Sequence, residues 1–131
     1  VQLDRLPAFK DGWQPVLDAM EHGKFFVSTG EVLLPSFTVN RKGSGQTIQL
    51  DGKGNATIDI AVDWTFPMQF IEIISGDGNK VYRERKELTQ TTAFDQQKFT
   101  YTVNLKNRKW VRVEAWDVAA NGAFTQFVWI E

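Results

Sequence analysis

Few side chains in this chain have the types and spacing that catalysis requires. His22 is the only histidine, so we expect neither a multi-histidine metal site nor a histidine-based triad. It comes at the end of a predicted helix, where a cation suits the helix dipole, and this favours a structural role. Glu31 and Asp117 are candidates for an acid/base pair, but the sequence does not set the distance between them. These residues predict no catalytic site, no metal site and no cofactor.

Two glycine-containing loops have polar residues of the kind that bind ions. Asp77 and Asn79 offer the oxygen ligands that calcium prefers, but their spacing fits a tight hairpin, and the acidic residue expected at the far end of a calcium loop is absent. Gly43 and Gly45 lie between predicted strands rather than at the start of a helix, where phosphate cradles form. Asn55 begins an Asn-Ala-Thr sequence that matches the glycosylation acceptor pattern, but so short a pattern has many false positives. We interpret the two glycine-containing loops, at residues 43–45 and 77–79, as turns.

The composition is that of one globular domain. The chain has 131 residues, 42% of them hydrophobic, and it contains five Trp, which is enough to bury a core. The charges are scattered and sum to -1, so we expect no nucleic acid partner. No apolar run approaches the roughly 20 residues that span a bilayer, so we expect no membrane insertion. The lack of cysteine excludes disulfides and thiolate metal ligands but leaves the compartment open, because many exported bacterial proteins also lack cysteine; a secreted or periplasmic location is slightly favoured.

A helical pattern gives way to a β pattern at residues 23–39. Residues 11–23 have apolar side chains at helical spacing, which predicts a short amphipathic helix after an extended lead-in. Gly23 can close this helix in the left-handed conformation. The apolar stripe is wide for so short a helix, so it must pack on the sandwich or on a neighbour. We therefore expect residues 1–23, the lead-in and the helix, to be the cut end of a larger protein and residues 24–131 to form the sandwich domain.

Alternating apolar and polar residues dominate the rest of the chain. Residues 25–27 predict a short buried strand, and Pro35 predicts a position away from the middle of a sheet. Residues 68–74 are apolar on both faces, which predicts a central strand. The strands that follow the junction are predicted at residues 36–39, 46–50, 56–64, 68–74, 80–84, 99–105, 110–117 and 123–130. The pattern predicts an all-β fold: an immunoglobulin-like antiparallel β-sandwich of about eight strands with a short N-terminal α-helix.

The last hairpin places two tryptophans on one side of a strand. If Val111, Val113 and Ala115 face the core, the opposite side carries a set that we call the outer-face patch: Trp110, Arg112, Glu114 and Trp116. Large aromatic side chains on an outer face need a reason. Three interpretations are open: the faces are reversed or another segment covers the patch, the patch docks another domain, or it is a platform on which sugar rings stack.

The junction between the helix and the strands resembles a known family. The run AMEHGKFFVSTGEVLLPSFTVN is similar to the C-terminal region of metallohydrolases of the polymerase-and-histidinol-phosphatase type, in the group of carbamate-hydrolase-like proteins. In that region a final helix leads into an immunoglobulin-like sandwich. The matching positions here are Ala19, Gly23, Phe26, Val27, Thr29 and Gly30. The closing hairpin, with Trp110, Arg112 and Thr125, also resembles that of the group.

The resemblance implies a non-catalytic accessory domain. In the family the metal ligands are histidines and carboxylates of a preceding barrel. None of those motifs is present here, so we do not expect this chain by itself to be an enzyme. Its implied partner is the preceding catalytic domain of the same polypeptide. The residues expected at that contact or in the core are Trp13, Met20, Phe25 and Phe26. The alternative is a carbohydrate-binding or other ligand-binding module, with a carbohydrate as partner.

Overall fold

The computed structural model describes all 131 residues, which form one short helix and ten strands in two sheets. A 3-10 turn at Phe9–Asp11 precedes helix α1, Gln14–Glu21. The strands in chain order are β1 (Phe26–Ser28), β2 (Val32–Val39), β3 (Thr47–Ile48), β4 (Asn55–Trp64), β5 (Met68–Gly76), β6 (Val81–Glu87), β7 (Asp95–Asn104), β8 (Trp110–Asp117), β9 (Gly122–Thr125) and β10 (Val128–Ile130). The predicted class, an all-β sandwich with a short N-terminal helix, is confirmed, with more strands than the pattern predicts.

The two sheets differ in size. Sheet B has three strands in the order β2-β4-β7, and sheet A has seven, with the order β6-β5-β8 on one side. The second edge of β8 is shared, because β9 pairs with its C-terminal half and β10 pairs with its N-terminal end. Strand β1 extends the sheet beyond β9. Strand β3 extends it beyond β10, in the one parallel pairing among the strands.

The core lies between the sheets and follows the alternation of the strands. On β4, Ile58, Ile60 and Val62 are buried, whereas the residues between them are half-buried or exposed. Strand β5 is central, between β6 and β8, as its two apolar faces predict. Strand β2 is an edge strand with an irregular register around Pro35, which also agrees with the prediction. Sheet A contributes buried side chains that include Ile71, Ile73, Val111 and Val113.

The helix begins later than the sequence pattern predicts. Gly12 has a φ of 59° and separates the 3-10 turn from α1, which starts at Gln14. Asp11 therefore does not cap the helix, and its carboxylate instead accepts the backbone N–H of Ala8 at 2.9 Å. At the other end Gly23 has a φ of 71°, so the predicted left-handed closure is confirmed.

Three predicted strands differ in the structure. Strand β1 pairs only with β9 and Val27 is exposed, so the prediction of a buried strand at residues 25–27 is wrong. The predicted strand at residues 46–50 is reduced to the two residues of β3. The predicted strand at residues 123–130 is divided into β9 and β10. At the division, Thr125 Oγ1 replaces a backbone carbonyl and accepts the N–H of Val113 at 3.1 Å.

Candidate functional site

Strand β8 places the outer-face patch on the surface of sheet A. Val111, Val113 and Ala115 are fully buried, and the four residues of the outer-face patch are half-buried on the opposite side. The interpretation that the two faces are reversed is therefore wrong. The structure brings the four predicted residues together on one face.

Polar contacts hold the centre of the outer-face patch. Arg112 Nη2 donates to Glu114 Oε1 at 2.6 Å. Trp116 Nε1 donates to the other oxygen of the same carboxylate at 3.2 Å. The guanidinium of Arg112 also lies 5.3 Å from the ring centroid of Phe124 on β9. The carboxylate of Glu114 thus fixes a guanidinium and an indole at the same time.

Two glycines on neighbouring strands make room for the indoles. Trp116 lies on Gly122 of β9, where an added Cβ would be 2.5 Å from the ring. Trp110 lies in the same way on Gly76 of β5, again with 2.5 Å to an added Cβ. Both indoles therefore pack against the backbone of their own sheet, and this packing accounts for their half-buried state.

Strands β5 and β6 extend the outer-face patch with charges that the sequence analysis missed. Glu72 on β5 is directly opposite Glu114 on β8, and like charges at such positions repel. Glu72 is 7% exposed and is paired with Arg83 Nη1 at 2.5 Å and with Arg85 Nε at 3.6 Å. Arg112 gives Glu114 its own cation. Each carboxylate is thereby neutralised, and the face becomes one connected charge network.

A signal for this network is present in the sequence. Glu72 is a carboxylate in a strand that is otherwise apolar on both faces, and a buried carboxylate needs a cation. Arg83 and Arg85 are two residues apart in the next strand, so they share a face. The register that places them beside Glu72 is not a local property of the sequence. The completed surface is rich in Trp and Arg, which are enriched where proteins bind one another.

An aromatic cluster connects the outer-face patch to the helical end of the chain. The Trp110 ring centroid is 4.7 Å from that of Phe127, and Phe127 meets Trp129 edge-on at 5.5 Å. Trp129 is 45% exposed. Phe127 and Trp129 line a groove of about 450 Å³ together with Met20 and Phe25. Two of the predicted contact residues therefore lie near one end of the outer-face patch.

The first 20 residues expose a set of large apolar side chains that we call the leader patch: Leu6, Phe9, Trp13, Leu17 and Met20. Phe9 is fully exposed, and Trp13 is 78% exposed. A groove of about 380 Å³ beside them is lined largely by apolar side chains. Phe25 is half-buried, and Phe26 packs against the core. Of the four predicted contact residues, Trp13 and Met20 are thus free to meet another surface.

Backbone contacts fix the end of the helix on the sandwich. The backbone of Gly45, which itself donates to Phe127 O at 2.7 Å, lies against the helix end so closely that a Cβ on Gly45 would overlap the carbonyl of His22. Gln2 N–H donates to Lys24 O at 2.7 Å. The backbone of the leader is therefore attached to the sandwich while the side chains of the leader patch point into solvent.

His22 and Asp117, two candidates for catalysis in the sequence, form hydrogen bonds within their own helix or turn. His22 Nδ1 donates to the carbonyl of Asp18 at 2.6 Å, at the C-cap of α1. Asp117 is buried in the β8–β9 turn, where its carboxylate accepts three hydrogen bonds, two of them from Asn121. Glu31 lines a groove whose walls do not include Asp117. Glu31 and Asp117, the hypothetical acid/base pair, do not share this groove.

Asp77 fixes the hairpin between β5 and β6. Its carboxylate accepts the backbone N–H of Lys80 at 2.7 Å, that of Asn79 at 2.8 Å, and the hydroxyl of Tyr82 at 3.0 Å. These hydrogen bonds, that from Lys80 first, lower the pKa of Asp77 from 3.8 to about 2. The bond to Asp77 raises the pKa of Tyr82. The loop is a hairpin turn, as its spacing predicts.

No three side chains of the metal-binding types lie close enough together to hold an ion, and no helix has the length and apolar character needed to cross a bilayer. The chain matches no protein-family model, and a search of curated proteins finds no match. The function is therefore inferred from the surfaces of the molecule.

Proposed function

We propose that this chain is a non-catalytic accessory β-sandwich domain of a larger metal-dependent hydrolase of the polymerase-and-histidinol-phosphatase type. It packs against the catalytic domain through the leader patch and stabilises or orients that domain. The observation that carries the proposal is that the side chains of the leader patch are exposed and that none of them belongs to the hydrophobic core of the sandwich.

Exposure of the leader patch is unfavourable in water. Burying one side chain of this size contributes about 1.5 to 3 kcal/mol. None of the five side chains belongs to the hydrophobic core of the sandwich. Exposed apolar patches of this kind mark contact sites in soluble proteins. A partner surface that covers the leader patch would therefore gain binding free energy without disturbing the sandwich.

The proposed occupant is a domain of the same polypeptide. The leader patch lies within the first 20 residues, so a preceding domain would be joined within a short distance of it. Such a connection raises the effective concentration of the two surfaces, and a modest interface is then sufficient for docking. The resemblance of the junction and of the last hairpin to hydrolase accessory domains supports this choice.

A carbohydrate-binding module is the second candidate, and the exposure of Trp129 favours it. Trp129 is 45% exposed and lines the groove of about 450 Å³. Trp116 offers less surface, because its indole is half-buried on Gly122. A glycan-array screen separates the candidates: sugar binding that Trp129→Ala removes and Trp116→Ala retains would favour the module.

The full reading frame that encodes this chain, expressed as one polypeptide, tests the docking proposal. Leu17→Ser replaces a side chain of the leader patch that is 55% exposed, and Val118→Ser replaces one in the β8–β9 turn that is 61% exposed. We expect Leu17→Ser to separate the domains, seen as a larger radius of gyration in small-angle scattering, and Val118→Ser to leave it unchanged. A reading frame without a metallohydrolase domain, or equal scattering of the two variants, would contradict the proposal.

A further inference from the structure

A groove of about 240 Å³ lies between the two sheets, on the side of the sandwich formed by β6 and β7. Strand β6 pairs only with β5, and strand β7 pairs only with β4, so no strand pairing closes this side. The core residues Ile73, Val103 and Leu105 line the groove and give it an apolar floor. Tyr82 and Arg108 line it as well. The groove therefore joins an apolar surface to a cation.

Three contacts hold the side chain of Arg108 at this groove. Its Nε donates to Ser75 Oγ at 3.2 Å, and its Nη1 donates to Lys106 O at 3.3 Å. The guanidinium carbon lies over the ring of Tyr82, 3.4 Å from the centroid. These bonds use two of the five N–H groups of the guanidinium, and the other three have no acceptor in the protein. Arg108 is thus a fixed, half-buried guanidinium with free donors.

The other charged side chains that line the groove are neutralised by neighbours. Arg83 is paired with Glu72 at 2.5 Å, and Glu84 is paired with Lys86 at 2.5 Å. Arg108 has no carboxylate within 4 Å, so it is the one charged group of the lining that lacks an opposite charge. A charge in such a position is stabilised by a counterion. The groove is therefore suited to an anion.

The two turns beside the groove add to its positive potential. The β5–β6 turn has one cation, Lys80, and one carboxylate, Asp77. The β7–β8 turn has Lys106 and Lys109 in addition to Arg108, and none of the three lysines has a carboxylate within 4 Å. The carboxylate of Asp77 accepts three hydrogen bonds and is not within 4 Å of Arg108. Four cations against one carboxylate attract anions to this end of the groove.

We propose that this groove binds a small organic anion. Its carboxylate, sulfate or phosphate group accepts hydrogen bonds from the free donors of Arg108, because a guanidinium matches pairs of such oxygens. Its apolar part lies on the floor of Ile73, Val103 and Leu105. The volume of about 240 Å³ is below the range of about 300 to 1,000 Å³ of sites for drug-sized ligands, so the ligand is small. No residue of the leader patch lines the groove, and the site does not depend on the proposed function.

NMR titration of the 131-residue chain tests the site with four probes: benzoate, phenyl phosphate, benzyl alcohol and inorganic phosphate. We expect benzoate or phenyl phosphate to shift the Nε–H signal of Arg108 and the backbone amides of Tyr82 and Leu105, and the tighter of the two identifies the charged group. Benzyl alcohol lacks the charge and inorganic phosphate lacks the apolar part, so each should bind at least about tenfold more weakly. No shift at Arg108 with either organic anion, or equally tight binding of inorganic phosphate, overturns the proposal.

Two variants separate a specific site from a general attraction of anions to the turn. Arg108→Gln and Lys109→Gln each remove one positive charge from the same turn, but of the two residues only Arg108 lines the groove. We expect Arg108→Gln to weaken binding of the tighter organic anion at least about tenfold and Lys109→Gln to weaken it less than about twofold. The amide spectrum of each variant shows whether it is folded, and the wild-type titration depends on neither. Equal weakening by the two substitutions, or binding that Arg108→Gln leaves intact, overturns the proposal.

Discussion

The outer faces of the two sheets differ in what their side chains contact. On sheet A, the outer-face patch and Glu72 are half-buried or buried, and both carboxylates have arginine partners within 3.6 Å. On sheet B, Thr57, Asp59 and Ala61 are short, and Thr100 Oγ1 donates to Asp59 Oδ1 at 2.7 Å across the strands. Long side chains in mutual contact cover sheet A, whereas the outer side chains at the centre of sheet B, on β4, are short.

This difference between the two outer faces should appear in the stability of variants on each face. The long side chains of sheet A pack on one another and on glycines of their own sheet, so changes there disturb intramolecular contacts. The outer side chains of β4 in sheet B are short and make contacts such as the hydrogen bond from Thr100 to Asp59. We therefore expect substitutions on the outer face of sheet A to cost more stability than matched substitutions on the outer face of sheet B.

The largest contrast is expected from adding a branched side chain at a small residue of each face. Gly122→Val places carbon atoms within the space of the Trp116 ring and should lower the free energy of unfolding by about 2 to 3 kcal/mol. Ala61→Val is on the open face of β4 and should change it by less than about 0.5 kcal/mol. Urea unfolding of both variants measures the difference. Similar losses would show that the two faces are equally tolerant.

A smaller contrast is expected from replacing one carboxylate by an amide on each face. Glu72→Gln removes the charge that faces two arginines in a buried position and should cost about 1 to 2 kcal/mol. Asp59→Asn keeps an oxygen that accepts the hydroxyl of Thr100, so it should cost less than about 0.5 kcal/mol. The same urea titrations decide this, and a larger loss for Asp59→Asn would reverse the comparison.

The smallest effect concerns the turn that sets the register of β5 and β6. The pKa of Asp77 is lowered from 3.8 to about 2, so its carboxylate stabilises the fold fully above pH 4 and loses most of this contribution as the pH falls to about 2. Asp77→Asn should therefore be less stable than the wild type at pH 7, and the difference should shrink towards pH 2. Urea midpoints at several pH values test this, and a constant difference would contradict it.

The alternation of apolar residues was sufficient to predict most of the sandwich. Strand β4 and the buried side of β8 agree with the period of two, because a sheet with one buried face imposes it, and the central position of β5 agrees with its two apolar faces. The left-handed Gly23 and the turn at Asp77 were predicted for the same kind of reason, since few residue types accept those conformations.

The remaining features depend on contacts between distant residues. Glu72 and its arginines meet only through the register of three strands, and the division of β9 from β10 depends on the side chain of Thr125. The start of α1 was missed because Gly12 adopts a positive φ that the helical spacing does not reveal. The outer-face patch was predicted as a set, but its half-buried state was not, because Gly76 and Gly122 come from other strands.

Hydrogen exchange of residues 1–23 tests docking through the leader patch most directly. It is measured by mass spectrometry in the polypeptide encoded by the full reading frame and in the isolated chain. If the leader patch docks, we expect the amides of α1 to exchange at least about tenfold more slowly in the full polypeptide, while those of β4 are unchanged. Equal exchange of α1 in both samples would contradict docking through the leader patch.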